Sequence, residues 1–586
     1  MKDLERVDPE RAADLAVHGR GAVPSGDGTP AAGGTGLVPP AGAAGAGARR
    51  GGFAQMVGRW REPWSRRRLW TFWAVSRAVL LTLVFAGRVL GAQQGVLGDI
   101  RLYAGWGESF VHGHGLPVGD ETWQYPPGAV LVFAVPALAR AVAGLSYRVG
   151  FPLFMVAVDA AVTAALARAG RGADGQGTAG RATGSSAEPV SPGIPRGPKE
   201  VRKCSSFASP EAAVPRSTRG PKEVRKCSSF ASPEAAVPRS TTGRSAILRV
   251  CQGGPPGPGA RVWLVGTLLL GPVTLARFDL VPAACVVAAL LALRAGRPGR
   301  VGFAVMAGTL VKVWPAFLLG AVGRPSARVL ARMAIGAACA AVAVGLVLVA
   351  AGAGGDLLGF LGAQRARGLQ LEAVPATVFV VIRMSGAGET ARYSYGSLQF
   401  GDSAARTVAT VCTVVELVVV AAVVVRWWLL PARSPASGDA DGTSAGWAVV
   451  ACDRLLALLL VVLMTSRVLS PQYLLWVLAV AVTGVALAGG TGGVPPGSAR
   501  PEICRQDRRD ARERRRVGLI VLLAAVAVSQ LVYPWRYNDV IQGRIVMSLV
   551  LVGRNVLLLV ATWHAVRVSL AWPTSQAAAP SRRRRP

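Results

Sequence analysis

The sequence predicts an all-α polytopic membrane protein with about twelve transmembrane helices, on three observations. Hydrophobic residues make up 51% of the 586 and charged ones only 17%, with a mean hydropathy of +0.39, which is more apolar matter than one soluble core takes up. Apolar runs of about 18 residues or more, the length that crosses roughly 30 Å of hydrocarbon, recur along the chain. Arginine sits at the ends of those runs: Arg66, Arg67 and Arg68 before the first, Arg508 to Arg516 before the eleventh, and Arg582 to Arg585 after the last. That is the positive-inside distribution of cytoplasmic loops. It also excludes what a net charge of +33 and a pI near 11.3 would otherwise suggest, because nucleic-acid binding requires a basic face or stripe.

Taken in order, residues 1–65 are rich in Gly, Ala, Pro and Arg without periodicity and read as a disordered cytoplasmic tail. The start, MKDLERVDPER, lacks an apolar core, so the first span is expected to serve as its own insertion signal. Spans are expected at 69–90, 127–144, 149–169, 261–275, 278–294, 301–320, 327–352, 405–430, 447–466, 470–489, 517–535 and 545–568. The first helices therefore occupy 66–170 and the remainder 261–570, with a basic cytoplasmic tail at 571–586. The stretch 301–324 reads either as one crossing or as a hairpin, which would invert the side of everything between, so the ends of the topology are better fixed than its centre.

Between the two helical blocks, 171–260 is a low-complexity loop. In it RGPKEVRKCSSFASPEAAVPRST at 196–218 recurs unchanged at 219–241. Two identical copies are too perfect and too few for a solenoid, and read as a recent duplication in a tolerated loop. Cysteines 204, 227, 251, 285, 339, 412, 452 and 504 form no CxxC pair, so neither structural zinc nor a disulfide framework is expected. His112 and His114, as HGH, lack a third ligand at a defined spacing, and no metal or other cofactor is expected.

Even parity puts both basic ends inside and the loop 91–126 outside. That loop carries Asp99, Glu108, Asp120 and Glu121 against a single Arg101. Asp99 follows the first span closely enough to sit near the membrane surface. Tyr103, Trp106, Trp123 and Tyr125 suit either stacking on sugar rings or an interfacial aromatic belt. Ionisable residues inside spans are costly and therefore candidates for function: Arg77, Arg88, Asp159, Lys312, Glu416, Asp453, Arg454 and Arg554. Each also has a plainer reading, since Arg88, Asp453 and Arg454 can snorkel and Asp159 can pair with an arginine on a neighbouring helix. Lys312 stands out in GTLVKVWPAFLLG, because outside the repeat the other lysine is Lys2. A compact ammonium suits a phosphate oxygen or a carboxylate, and Pro315 loosens the helix beside it.

The series GDIRLY, WQYPPGAVL, TLARFDLVPAACVVAALLAL, GTLVKVWPAFLL, QRARGLQLEAVPATV and SRVLSPQYLLWVL, spread over about 70–570, resembles the membrane mannosyltransferases of glycosyltransferase family 87. The resemblance implies a C-type glycosyltransferase fold. It also implies transfer of a hexose, mannose, from polyprenyl phosphate to an extracytoplasmic glycolipid or polysaccharide at a bacterial plasma membrane. Carried onto this chain, Asp99 is the catalytic base for the acceptor hydroxyl; a positioned carboxylate contributes about 100- to 10,000-fold in that role. The leaving phosphate needs cations rather than an acid, and the candidates are Arg277, Lys312, Arg367 and Arg467. Tyr103, Tyr125, Gln370, Glu372, Gln472 and Tyr473 are the candidate substrate contacts. A transporter or flippase of lipid-linked sugars also needs buried charge and broken helices, but transporters usually show related halves, which these spans do not. A non-catalytic scaffold would leave Lys312 and the acidic loop without a purpose.

Overall fold

The computed structural model describes residues 64–117, 119–169, 255–355, 357–429, 443–488 and 502–571. The expected tail before residue 64, the tandem repeat and the basic tail from 572 lie outside the described residues. The described helices are α1 (Arg66–Ala86), α2 (Gly98–Val111), α3 (Ala129–Ala143), α4 (Tyr147–Ala169), α5 (Pro258–Leu270), α6 (Val273–Ala276), α7 (Leu280–Arg294), α8 (Pro298–Val311) and α9 (Phe317–Val322). After these come α10 (Ala327–Ala350), α11 (Phe360–Ala366), α12 (Thr377–Met384), α13 (Ser403–Leu429), α14 (Thr443–Thr465), α15 (Leu474–Ala488), α16 (Glu502–Gln530), α17 (Tyr537–Ile541) and α18 (Ile545–Ala571). Among the described residues, eight helical stretches are long and apolar enough to cross a membrane, carried by α1, α4, α10, α13, α14, α15, α16 and α18.

The remaining expected spans, 127–144, 261–275, 278–294 and 301–320, form shorter helices, and local chemistry explains how. In the second of these, Gly271 (φ 76°) followed by Pro272 divides α5 from α6. The first, α3, is a 15-residue helix reaching only about 22 Å, and it is laid along α2. There Gly107 meets the Phe133 carbonyl with no room for a Cβ, Tyr103 stacks on Phe133 at 4.6 Å, and Arg140 pairs with Glu108 at 2.5 Å. Loop 91–126 thus contains a helix and continues into a helical hairpin.

Over 301–324 the helix is broken into two pieces, α8 and α9. Helix α8 meets α10 through glycines: Gly302 abuts the Met333 carbonyl and Gly336 the Gly299 carbonyl, so neither tolerates a side chain. Small residues of this kind let helix backbones approach closely. Helices α8 and α10 therefore run antiparallel where they cross, and the chain between Gly302 and Met333 leaves this crossing point and comes back to it. The break lies at Lys312, whose extended backbone (φ −159°, ψ 134°) stops α8, followed by a 3-10 turn at Trp314–Ala316 that contains Pro315.

Packing sorts the long helices. In the stretch Pro471–Ala488, 72% of the apolar window is buried, as expected of a helix apolar on every side. For α13 the figure is 11%, and Val411, Val414, Leu417 and Val418 face outward. A surface this apolar is suited to lipid rather than water. A small antiparallel sheet joins three strands in the order β1 (Leu369–Gln370), β3 (Ser397–Phe400), β2 (Arg392–Ser394). The β2–β3 hairpin pairs Ser394 with Ser397 and turns on Tyr395 (φ 47°) and Gly396 (φ 74°), the two positive φ values that a tight hairpin requires.

Candidate active site

The interruptions of the helices meet at one end of the bundle. Loop 91–97 is fastened to the segment after α16: Gln94 N–H donates to the Pro534 carbonyl at 3.0 Å and Gln93 N–H to the Trp535 carbonyl at 3.2 Å. Gln94 Nε2 donates to Asn538 Oδ1 at 2.6 Å. That places α2 with its first turn against the α6–α7 junction. Asp99 lies in this first turn, which has no side-chain cap, where unsatisfied N–H groups favour an anion.

At the junction the extended residue Arg277 (φ −124°, ψ 146°) ends α6 and pairs through its guanidinium with Asp99 Oδ2. The Arg277 NH2 group also donates to the Tyr533 hydroxyl at 3.3 Å, while its buried Nε has no partner. Two residues on, Asp279 is almost wholly buried. It accepts from Lys312 Nζ at 2.6 Å and from Trp476 Nε1 at 2.7 Å, both at Oδ1, and Oδ2 is left unpaired. Four rings surround the ammonium: Phe278 at 4.9 Å, Tyr473 at 5.0 Å, Trp476 at 5.1 Å and Tyr125 at 5.6 Å. Such cation–π contact stabilises a desolvated cation beyond its single ion pair. Two ion pairs thus flank Phe278, one at the rim and one below it.

A third cluster adjoins them. Arg467 donates to the carbonyls of Arg367 (3.1 Å) and Gln364 (2.6 Å), and its own carbonyl accepts from Gln370 N at 3.0 Å. Gln370 Nε2 reaches Ser470 Oγ at 3.0 Å, Arg367 NH2 reaches Ser397 Oγ at 2.9 Å, and Gln364 Nε2 reaches the Gln124 carbonyl at 2.9 Å. The motifs QRARGLQLE, SRVLSPQY and WQYPP are therefore joined by hydrogen bonds donated onto one another's backbone carbonyls. Tyr473 stacks on Trp476 at 4.1 Å and so links this cluster to the Lys312 cage. Gln472 is half-buried in the adjacent 3-10 turn.

Two expected contacts lie elsewhere. Tyr103 is buried in the aromatic cluster of Phe133, Phe151 and Phe278. Glu372 is buried against Arg554 of α18 at 3.5 Å, and Arg554 NH2 also holds the Glu372 carbonyl at 2.8 Å. Each of the four expected phosphate-binding cations already has a protein partner. Sequence reasoning missed Asp279, Trp476 and Tyr533. The signal for Asp279 stands in ARFD itself, one carboxylate two residues after Arg277, whereas Tyr533 is brought in only by tertiary structure.

In loop 112–128, burial works against the charge of Asp120, but donation from Thr122 and Trp106 outweighs it and holds the carboxyl below its ordinary 3.8. His112 Nδ1 lies 2.7 Å from the Glu108 carbonyl. Among the described residues no three His, Cys, Asp or Glu side chains converge as metal ligands.

Comparison with known families, characterised proteins and solved structures finds no match. The chemistry is therefore read from the side chains themselves. A part-exposed carboxylate with one oxygen held, next to a buried cation and a patch of aromatic and amide groups, suits proton abstraction from a hydroxyl.

Proposed function

We propose that this chain is an integral membrane glycosyltransferase that moves a hexose, mannose, from polyprenyl phosphate to a glycolipid or polysaccharide acceptor, with inversion at C1. The observation that supports it is Asp99, held through one oxygen by Arg277 at the uncapped start of α2. Its other oxygen has no partner among the described residues and is available to take the proton of an acceptor hydroxyl as that hydroxyl attacks C1 in line. The C1–O bond to phosphate breaks as the new one forms, and the phosphate leaves as an anion that needs positive charge rather than a proton. The part-exposed Gln472 and Tyr473 are the side chains this reading gives to sugar hydroxyls; Gln370 is buried against Ser470 and supports them from behind.

The resemblance to family 87 and its C-type fold belongs to this reading, as do about twelve crossings, with the segment 301–320 counted as one of them. So does a bacterial plasma membrane with the Asp99 end extracytoplasmic, opposite the arginines that open α1. Asp99→Asn in isolated membranes tests the reading: transfer from polyprenyl-phosphate mannose is expected to fall by about 100- to 10,000-fold with the protein still accumulating. Full transfer by that variant refutes the base. Movement of intact lipid-linked sugar across vesicles without transfer would favour a flippase instead.

A further inference from the structure

With the expected phosphate cations all engaged, the cations lacking an acidic partner become informative. Three of them, Arg88, Arg101 and Arg148, line a single cleft of about 370 Å³, a size typical of small-ligand sites. They come from three separate places: just past the end of α1, the N-terminal part of α2 and the start of α4. None makes an ion pair or side-chain hydrogen bond within the described residues, and all three are exposed. The cleft has no carboxylate in its lining, and Gly98, first residue of α2, brings the uncapped N–H groups of that helix to its wall. Three guanidinium forks converging without a counter-charge match the oxygens of a phosphate ester.

The rest of the lining says what carries the phosphate. Leu83, Val84 and Phe85, from the last turns of a helix apolar enough to cross a membrane, form one wall. Phe85 is 38% exposed, and the neighbouring Val89 and Leu90 are 89% and 54% exposed. Cations beside outward-facing apolar side chains form the surface that an anionic headgroup with a hydrocarbon tail requires. The geometry points to a binding cleft for a lipid-borne phosphate, with Arg88, Arg101 and Arg148 as its phosphate ligands. Asp99 directly follows Gly98, so an occupant's headgroup would lie beside the Asp99–Arg277 pair. The cleft is assigned from its own charge and shape, and it survives failure of the glycosyl-transfer reading.

The test uses the full-length chain purified in detergent, with polyprenyl phosphate and phosphatidylglycerol as separate probes and inorganic phosphate as competitor. Replacing all three arginines with glutamine is expected to weaken binding of a lipid phosphate by at least about 100-fold, with each single change worth about tenfold. Arg140→Gln, which removes the Glu108 pair outside the cleft, should leave binding unchanged, and a triple lysine variant should restore part of it. Stronger loss for polyprenyl phosphate than for phosphatidylglycerol assigns the cleft to a prenyl donor, and equal loss assigns it to anionic lipid in general. Unchanged binding in the triple glutamine variant overturns the proposal, provided its elution profile and melting match the parent. So does displacement by inorganic phosphate at the same concentration as the lipid.

Discussion

Two arginine–aspartate pairs in this molecule do opposite things. Arg77 and Asp159 lie between α1 and α4 with side chains 2% and 0% exposed. The guanidinium is bidentate, Nε to Oδ2 at 2.7 Å and NH2 to Oδ1 at 2.6 Å. Trp73 and Trp263 donate to the carboxylate at 2.6 and 2.9 Å, and Thr267 and Ser76 accept from the arginine. Arg277 and Asp99 are 12% and 27% exposed, and Arg277 Nε has no partner. The first pair is closed and ties three helices together. The second is left incomplete at a rim, and under the proposed function a substrate completes it. Charge in a span is therefore a poor guide to function until the hydrogen bonds around it have been accounted for.

The contrast can be broken by mutation. The largest effect expected is the loss of transfer in Asp99→Asn, with melting in detergent shifted little. Asp159→Ala should do the reverse, costing about 3–5 kcal/mol of stability by stranding Arg77, read as lost accumulation and a lowered melting temperature. If Asp159→Ala instead left stability intact, the distinction between the pairs would fail. Lys312→Met should approach the same cost by leaving Asp279 charged and buried, and adding Asp279→Leu should recover part of it.

A smaller effect is expected from acid. The lowered Asp120 carboxyl stabilises its loop fully above the unfolded value of 3.8, and that contribution is lost as pH falls through the folded value below it. Hydrogen exchange over residues 112–123 should therefore hold at pH 5 and rise below about pH 4, a response absent in Asp120→Asn. Least of all, Tyr103→Phe should change stability by under about 0.5 kcal/mol, since the ring packing is kept. A large loss of transfer in that variant would return its hydroxyl to the substrate.

The sequence showed what depends on local composition. Run lengths placed the long helices, Pro315 was read as loosening the helix beside Lys312, and Asp159 was flagged as a partner for an arginine, which proves to be Arg77. What stayed hidden depends on which segments meet. The run 127–144 has the hydropathy of a span, and only its packing on α2 shows it lying beside that helix. The close crossing of α8 with α10 rests on Gly302 and Gly336, contacts that have no periodic signature. Arg88, Arg101 and Arg148 carry nothing in their local sequence to join them, because the cleft is made from the ends of three helices.

The staple between Gln94 and Asn538 spans 444 positions. During synthesis the ribosome releases loop 91–97 long before residues 534–538, so this one anchor of the loop has to wait until α16 has been made. Fastening of this end of the bundle is thereby deferred to a late stage of biogenesis, since contacts so distant in sequence form late. A chain missing its last helices would lack this fastening of the Asp99 end.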